Sequence, residues 1–259
     1  MCRLLILIFV AAVPCPLLAQ FTNILLDSSS AGNVYPHHPS VAINLKNPDQ
    51  VVVGSGKGWV YQSANRGKTW SSKRLLCPYP FRGSPVVLSD YKGRFYFVHL
   101  AGALQQEAAD PDRIVVQASD DGRLWDSGIF TAFNENYHPV NPSAALDRSG
   151  TLYVTWTELL QEAGSCKSNL YFSKVQGGKK FSRPVRITAA DAGCNPDEMP
   201  YGPVPAVTND GKIFVAWAQG GKIFMDRSWD GGNTWLTHDI QLTQPAGRTQ
   251  DAHSRDGRS

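Results

Sequence analysis

Residue types able to do chemistry gather in a few short stretches of this 259-residue chain. His37 and His38 stand together, and Arg82 lies within Phe81-Arg82-Gly83-Ser84-Pro85. Tyr137, His138 and Asn141 share a second stretch, and Asp197, Glu198 and Tyr201 a third. Two longer stretches, 101–112 and 157–168, carry Glu107, Asp110, Asp112, Glu158 and Glu162, with Arg113 just after the first. This set offers carboxyl groups for proton transfer and guanidinium forks that bind carboxylates bidentately. Metal chemistry is not indicated. Adjacent histidines on an extended chain point to opposite sides, no Cys/His spacing resembles a zinc site, and the turns at Asp147 and Asp210 lack the ligand density of a calcium site. No cofactor is expected, and no local motif supports Cys–His catalysis.

The composition narrows the class. With 25 Lys+Arg against 22 Asp+Glu, the net charge is only +3, and no basic run exceeds two residues. A dedicated nucleic-acid binder is not expected. Aromatics at 10%, seven of them Trp, argue for an ordered core. At the N-terminus, Arg3 precedes an apolar run from Leu4 to Val13, and Ala19 is a small residue before Gln20. That pattern predicts a secretory signal over residues 1–19, hence an extracellular or periplasmic protein. The run is short for a membrane span, and no later apolar stretch is long enough. Cleavage after Ala19 removes Cys2 and Cys15 and leaves Cys77, Cys166 and Cys194.

The elements that must position these residues are set by a repeat. Ser63-Ala64-Asn65-Arg66-Gly67-Lys68-Thr69-Trp70, Ala118-Ser119-Asp120-Asp121-Gly122-Arg123-Leu124-Trp125 and Ser228-Trp229-Asp230-Gly231-Gly232-Asn233-Thr234-Trp235 align on S-x-D-x-G-x-x-W. Lys174 to Phe181 is a degenerate fourth copy that keeps Gly178 and an aromatic. The alignment marks Ser63, Asn65, Gly67, Trp70, Asp120, Gly122, Trp125, Ser228, Asp230, Gly232 and Trp235 as structural. Asp and Ser can bond nearby backbone N–H groups, Gly supplies a positive φ, and Trp packs its face beneath the turn. A second signal runs in phase. Pro39, Pro85, Pro142 and Pro205 each lead, five residues on, to Asn44, Asp90, Asp147 or Asp210, followed by a β-branched and aromatic run. Each unit reads strand, turn, strand, loop, strand, turn, strand. The predicted fold is all-β, a β-propeller of four-stranded antiparallel blades over about 36–77, 82–133, 140–189 and 202–243.

These repeats resemble the Asp-box (BNR) repeats of the sialidase-like propeller superfamily, over roughly residues 36–243. The resemblance implies a six-bladed ring, whereas four blades are visible. Residues 244–259 have almost no apolar content and read as an unstructured tail. The expectation is an incomplete ring from a truncated chain. A four-bladed ring and a ring completed by another chain are the alternatives. The resemblance further implies a glycoside hydrolase that cleaves terminal sialic acids with an arginine clamp, a Tyr nucleophile assisted by Glu, and an Asp acid/base.

Carried over, that pattern makes Arg82, Glu198 and Tyr201 the catalytic candidates, and Arg113, His138, Asn141 and Asp197 the substrate-binding ones. The fit is partial. The family's Arg-Ile-Pro becomes Arg82-Gly83-Ser84-Pro85, with one residue extra, and no third clamp arginine is found. The expected partner is an extracellular glycan or glycoprotein, either processed or simply bound through the long-loop face. Blade topology puts the 157–168 loop and the connection holding Cys194 on that same face. A Cys166–Cys194 disulfide is therefore expected, worth about 3 kcal/mol for its loop length, with Cys77 free.

Overall fold

The computed structural model describes residues 23–26, 37–103, 110–132, 136–162 and 164–243. The expected signal segment and tail, and Glu107, lie outside the described residues. Among the described residues, sixteen strands form four antiparallel sheets, each with its strands in chain order. Blade one holds β1 (Ser40–Ile43), β2 (Val51–Ser55), β3 (Trp59–Ser63) and β4 (Ser71–Arg74). Blade two holds β5 (Phe81–Ser89), β6 (Phe95–Ala101), β7 (Arg113–Ser119) and β8 (Ile129–Phe130). Blade three holds β9 (Tyr137–Leu146), β10 (Leu152–Glu162), β11 (Ser165–Val175) and β12 (Val185–Arg186). Blade four holds β13 (Tyr201–Val207), β14 (Ile213–Gln219), β15 (Lys222–Ser228) and β16 (Ile240–Thr243). The fold is a β-propeller of four blades.

Successive side chains on a strand face opposite sides, so a blade between two others must be apolar on both. In β6, Phe95 and Phe97 pack with Val52 and Val60 of blade one. The alternate Tyr96, Val98 and Leu100 pack with Leu152, Val154 and Trp156 of blade three. A third cluster joins Tyr153, Leu170 and Phe172 to Ile213, Val215 and Trp217 of blade four. Each such side chain contributes about 1.5–3 kcal/mol when fully buried. Inner strands meet in the sequence β1–β5–β9–β13, and among the described residues no comparable packing joins blade four to blade one. The row's two end faces are open accordingly. Val41 and Ile43 on β1 are 62% and 52% exposed, and Val204 on β13 is 61% exposed.

Two register details correct the sequence reading. In blade two, Ser119 Oγ accepts from the Gly122 N–H, and Asp121, not Asp120, takes the Arg123 and Leu124 N–H groups. The turn is one residue shorter than those at Ser63 and Ser228, so an alignment anchored on Trp125 slips by one at its start. Asp120 is left exposed, 3.6 Å from Arg94. In blade four, the inner-strand signal is Pro203 and Thr208, not Pro205 and Asp210. Thr208 Oγ1 accepts from the Lys212 N–H, as Asp90 and Asp147 accept from Arg94 and Thr151. The residue before each of these prolines has a positive φ: His38, Ser84 and Asn141 at 51° and Gly202 at 62°. In blades two to four it coincides with a break in register, so it marks a bulge in the inner strand.

Candidate functional site

The turns at one end of the blades are closed by their own hydrogen bonds. Ser63 Oγ accepts from Gly67 N–H at 2.8 Å, and Ser228 Oγ from Gly232 N–H at 2.9 Å. Asn65 and Asp230 take the N–H groups of Thr69 and Thr234. Trp70 and Trp125 donate their indole N–H to Gly67 and Gly122 carbonyls, while Trp235 packs edge-on against Phe172. The Arg66–Asp49 ion pair ties this end together within blade one. With their acceptors filled, these carboxylates are framework.

Among the described residues, the opposite end holds a cavity at each of the three junctions between blades. Between blades one and two, His37, Lys57, Arg74, Phe81, Arg82 and Gly83 surround about 520 Å³. Between blades three and four, Asp191, Asp197, Glu198, Lys222 and Asp239 line about 510 Å³. Between blades two and three lies a cavity of about 380 Å³, lined by Asp112, Thr131, Tyr137, Trp156, Glu158, Tyr171 and Arg183 among others.

This middle cavity contains a carboxyl group unlike the rest. Glu158 was expected in a loop, but β10 and β11 run on as a ladder from Leu152↔Val175 to Glu162↔Ser165. Strand alternation therefore places Glu158 on the same face as Trp156, towards blade two. Burial pushes its pKa up to about 7, against the indole N–H of Trp156, which donates to Oε2 and favours the anion. A half-buried carboxyl given one donor keeps its proton to higher pH, because one bond does not replace the lost hydration of the charge. Trp156 is 2% exposed and stacks on Tyr171 with ring centroids 6.1 Å apart. Tyr137 and Tyr171 add hydroxyl-bearing aromatic faces to the wall. Asp112, the other carboxylate of the lining, is 8% exposed and bound by both ends of the Arg113 fork, at 2.5 and 3.1 Å.

The sequence-predicted residues are distributed among these junctions. Arg82 lines the first cavity, Asp197 and Glu198 the third. Glu198 Oε2 sits over Gly193, where a Cβ would lie 1.9 Å away, whereas Tyr201 is 55% exposed on β13 and forms no hydrogen bond with Glu198. A Tyr–Glu nucleophile pair is not assembled. Arg113 is not available as a clamp: besides holding Asp112, its guanidinium lies 3.7 Å from the Tyr79 ring centre. His138 Nδ1 lies 3.3 Å from the Pro111 carbonyl oxygen, and Asn141 occupies the inner-strand bulge. Cys166 and Cys194 are joined, Cα atoms 5.6 Å apart, and fasten the β10–β11 hairpin to the following connection. Cys77 is a free thiol whose pKa burial pushes up. Among the described residues, no group of three or more His, Cys, Asp or Glu side chains is arranged to hold a metal, and no helix is long and apolar enough to cross a membrane.

Comparison with known proteins is informative for the fold. No protein-family model matches the chain, and no curated protein matches it. Among solved structures, it is similar to a protein of unknown function from Dyadobacter fermentans (TM-score 0.57, 14% identity, covering 80% of this chain and 68% of that one). It is similar to the GH93 α-L-arabinofuranosidase of Fusarium graminearum complexed with arabinobiose (TM-score 0.54, 15% identity, 82% and 69%). A third similarity is to the Hadza microbial sialidase Hz136 (TM-score 0.52, 15% identity, 78% and 46%). The chain thus spans less than half of that sialidase. At these identities the likeness carries architecture, and function must be argued from the site.

Proposed function

We propose that the chain is a secreted, carbohydrate-active propeller of the glycoside hydrolase type, with its chemistry in the cavity between blades two and three. The observation that carries this reading is Glu158, a carboxyl group with pKa about 7 in a cavity of about 380 Å³ walled by Trp156, Tyr137 and Tyr171. Aromatic faces suit the apolar C–H faces of a sugar ring, and phenol hydroxyls and carboxyls suit its hydroxyl groups. A carboxyl that is half-protonated near neutral pH is tuned to give a proton to a leaving glycosidic oxygen. Asp112, held in place by Arg113, is the second carboxyl such hydrolysis requires, as the base that activates water. The arabinose-cleaving and sialic-acid-cleaving neighbours support a carbohydrate partner without choosing the sugar.

Turnover of a panel of chromogenic glycosides, including α-L-arabinofuranosides and α-sialosides, tests the proposal. Activity that falls as the pH rises through about 7, and is lost in Glu158→Gln, is the expected result. A second reading is binding without hydrolysis, favoured by the Arg113 fork occupying both Asp112 oxygens. No turnover, with glycan-array binding lost in Tyr171→Ala, would establish that reading instead.

A further inference from the structure

The cavity between blades one and two is built differently from the one beside it. Among the described residues, its lining carries His37, Lys57, Arg74 and Arg82 and no carboxylate. The four basic groups come from four separate elements: the segment entering β1, the 3-10 turn Gly56–Gly58, β4 and β5. The turn is fitted to present Lys57. Gly56 N–H donates to the His37 carbonyl at 2.8 Å, and a Cβ at Gly56 would lie 2.3 Å from the His37 ring. A Cβ at Gly58 would meet the Phe81 ring at 2.6 Å. Lys57 is thereby held at the tip with φ 62°. Arg74 spends its Nε on the Lys57 carbonyl, at 3.3 Å, leaving its terminal amino groups for another acceptor. Among the described residues, His37, Lys57 and Arg74 form no ion pair. Lys57 and Arg74, gathered with His37 in a concave site, concentrate a positive field there.

We propose that this cavity is a binding site for a tetrahedral oxyanion, the sulfate or phosphate monoester group of an acidic ligand. Permanent charges on Lys57 and Arg74 match a dianion, and donors arriving from separate elements suit a tetrahedral group better than a planar one. His37 makes the site pH-sensitive. Burial, His38 and Lys57 all lower its pKa, and the groups around it are His38 on its own segment, Lys57 on the turn, Arg74 on β4 and Arg82 on β5. All are cations or another imidazole, so a bound dianion reverses the balance and recruits a proton to His37. Binding therefore tightens as the pH is lowered through the imidazole range.

Isothermal titration of the full chain with sodium sulfate and sodium phosphate, against sodium acetate at matched ionic strength, tests the site. Saturable binding of the tetrahedral anions is expected, with Lys57→Ala and Arg74→Ala each weakening it by about tenfold or more. His37→Asn is expected to flatten the pH dependence. A sulfated against a phosphorylated monosaccharide then identifies which ester is preferred. Acetate binding as tightly as sulfate, or affinity unchanged in a Lys57→Ala/Arg74→Ala variant with wild-type circular dichroism, would overturn the proposal. The site is independent of Glu158: sulfate binding that persists in Glu158→Gln separates the fate of this inference from that of the hydrolase reading.

Discussion

Asp230 in the turn of blade four and Glu158 on β10 of blade three carry the same functional group and are pushed in opposite directions. Asp230 receives the N–H groups of Thr234 and Asn233 and the hydroxyls of Thr234 and Ser228. The Thr234 N–H, then the two hydroxyls, hold its carboxyl well below the usual range. Asp121 is a milder case, in which burial opposes ionisation but the Leu124 and Arg123 N–H groups outweigh it. Glu158 has burial without such donors, only the Trp156 indole, and keeps its proton to about pH 7. These carboxyl groups are thus sorted by the donors within their reach. Where strands reverse tightly, free backbone N–H groups are plentiful and fix an anion. Inside a continuing ladder those groups are already spent on the neighbouring strand.

Exchanging the roles of these groups gives the largest expected effects. Glu158→Gln should lower turnover by about 10²–10⁴-fold while leaving the circular dichroism spectrum unchanged. Asp230→Asn should leave turnover within twofold of wild type, about the scatter expected away from a site. A comparable loss of activity in both variants would dissolve the distinction. Next is Gly232→Ala. Gly232 has φ 87°, and a Cβ there would lie 2.1 Å from the Phe172 ring. The change should cost on the order of 2–4 kcal/mol in denaturant melts. An unchanged midpoint would show that the turn is not packed against blade three as described.

The same contrast sets how stability responds to pH. The folded pKa of Glu158, about 7, is raised above its ordinary value of 4.5. Its contribution is therefore fully present below pH 4.5 and is lost as the pH rises to about 7. Over that window wild type should lose on the order of 2–3 kcal/mol relative to Glu158→Gln. Asp230 works the other way: its folded pKa is lowered, so its stabilisation is present above the unfolded value and lost only in stronger acid. Parallel stability–pH curves for wild type and Glu158→Gln between pH 4 and 8 would contradict the first statement. The smallest effect belongs to Trp156→Phe. Removing the indole N–H should raise the Glu158 pKa further, by less than about one unit, moving the alkaline limb of any pH–rate profile upward with it.

The framework end was legible because its chemistry is local. A tight turn needs Ser, Asp or Asn, Gly and Trp at fixed offsets; two copies keep the offsets and a third keeps the residue types one position shorter. The slips occurred where an offset changed, at the shortened turn around Asp121 and where Thr208 does the work of an aspartate. The cavity between blades two and three was not legible, since Asp112, Thr131, Tyr137, Glu158 and Arg183 come from five separate stretches of chain. Glu158 differs from Glu162 in sequence by nothing that marks it as buried. The one usable signal was the run of aromatic and β-branched residues from Leu152 to Thr157, whose strand phase, continued past the assumed loop boundary, puts Glu158 on the face of Trp156. Arg113 misled for a related reason: its immediate neighbour Asp112 already fills the fork that a substrate carboxylate would need.

The most direct test is a titration of Glu158 itself. Carbon-detected NMR of the glutamate side-chain carboxyls, with Glu158→Gln to assign the signal, reads its protonation from pH 3 to 9. The account predicts one glutamate with a midpoint near pH 7, absent from the variant. If Glu158 instead titrates with the ordinary glutamates near pH 4.5, the cavity holds a solvated carboxylate and the proposed proton donor does not exist.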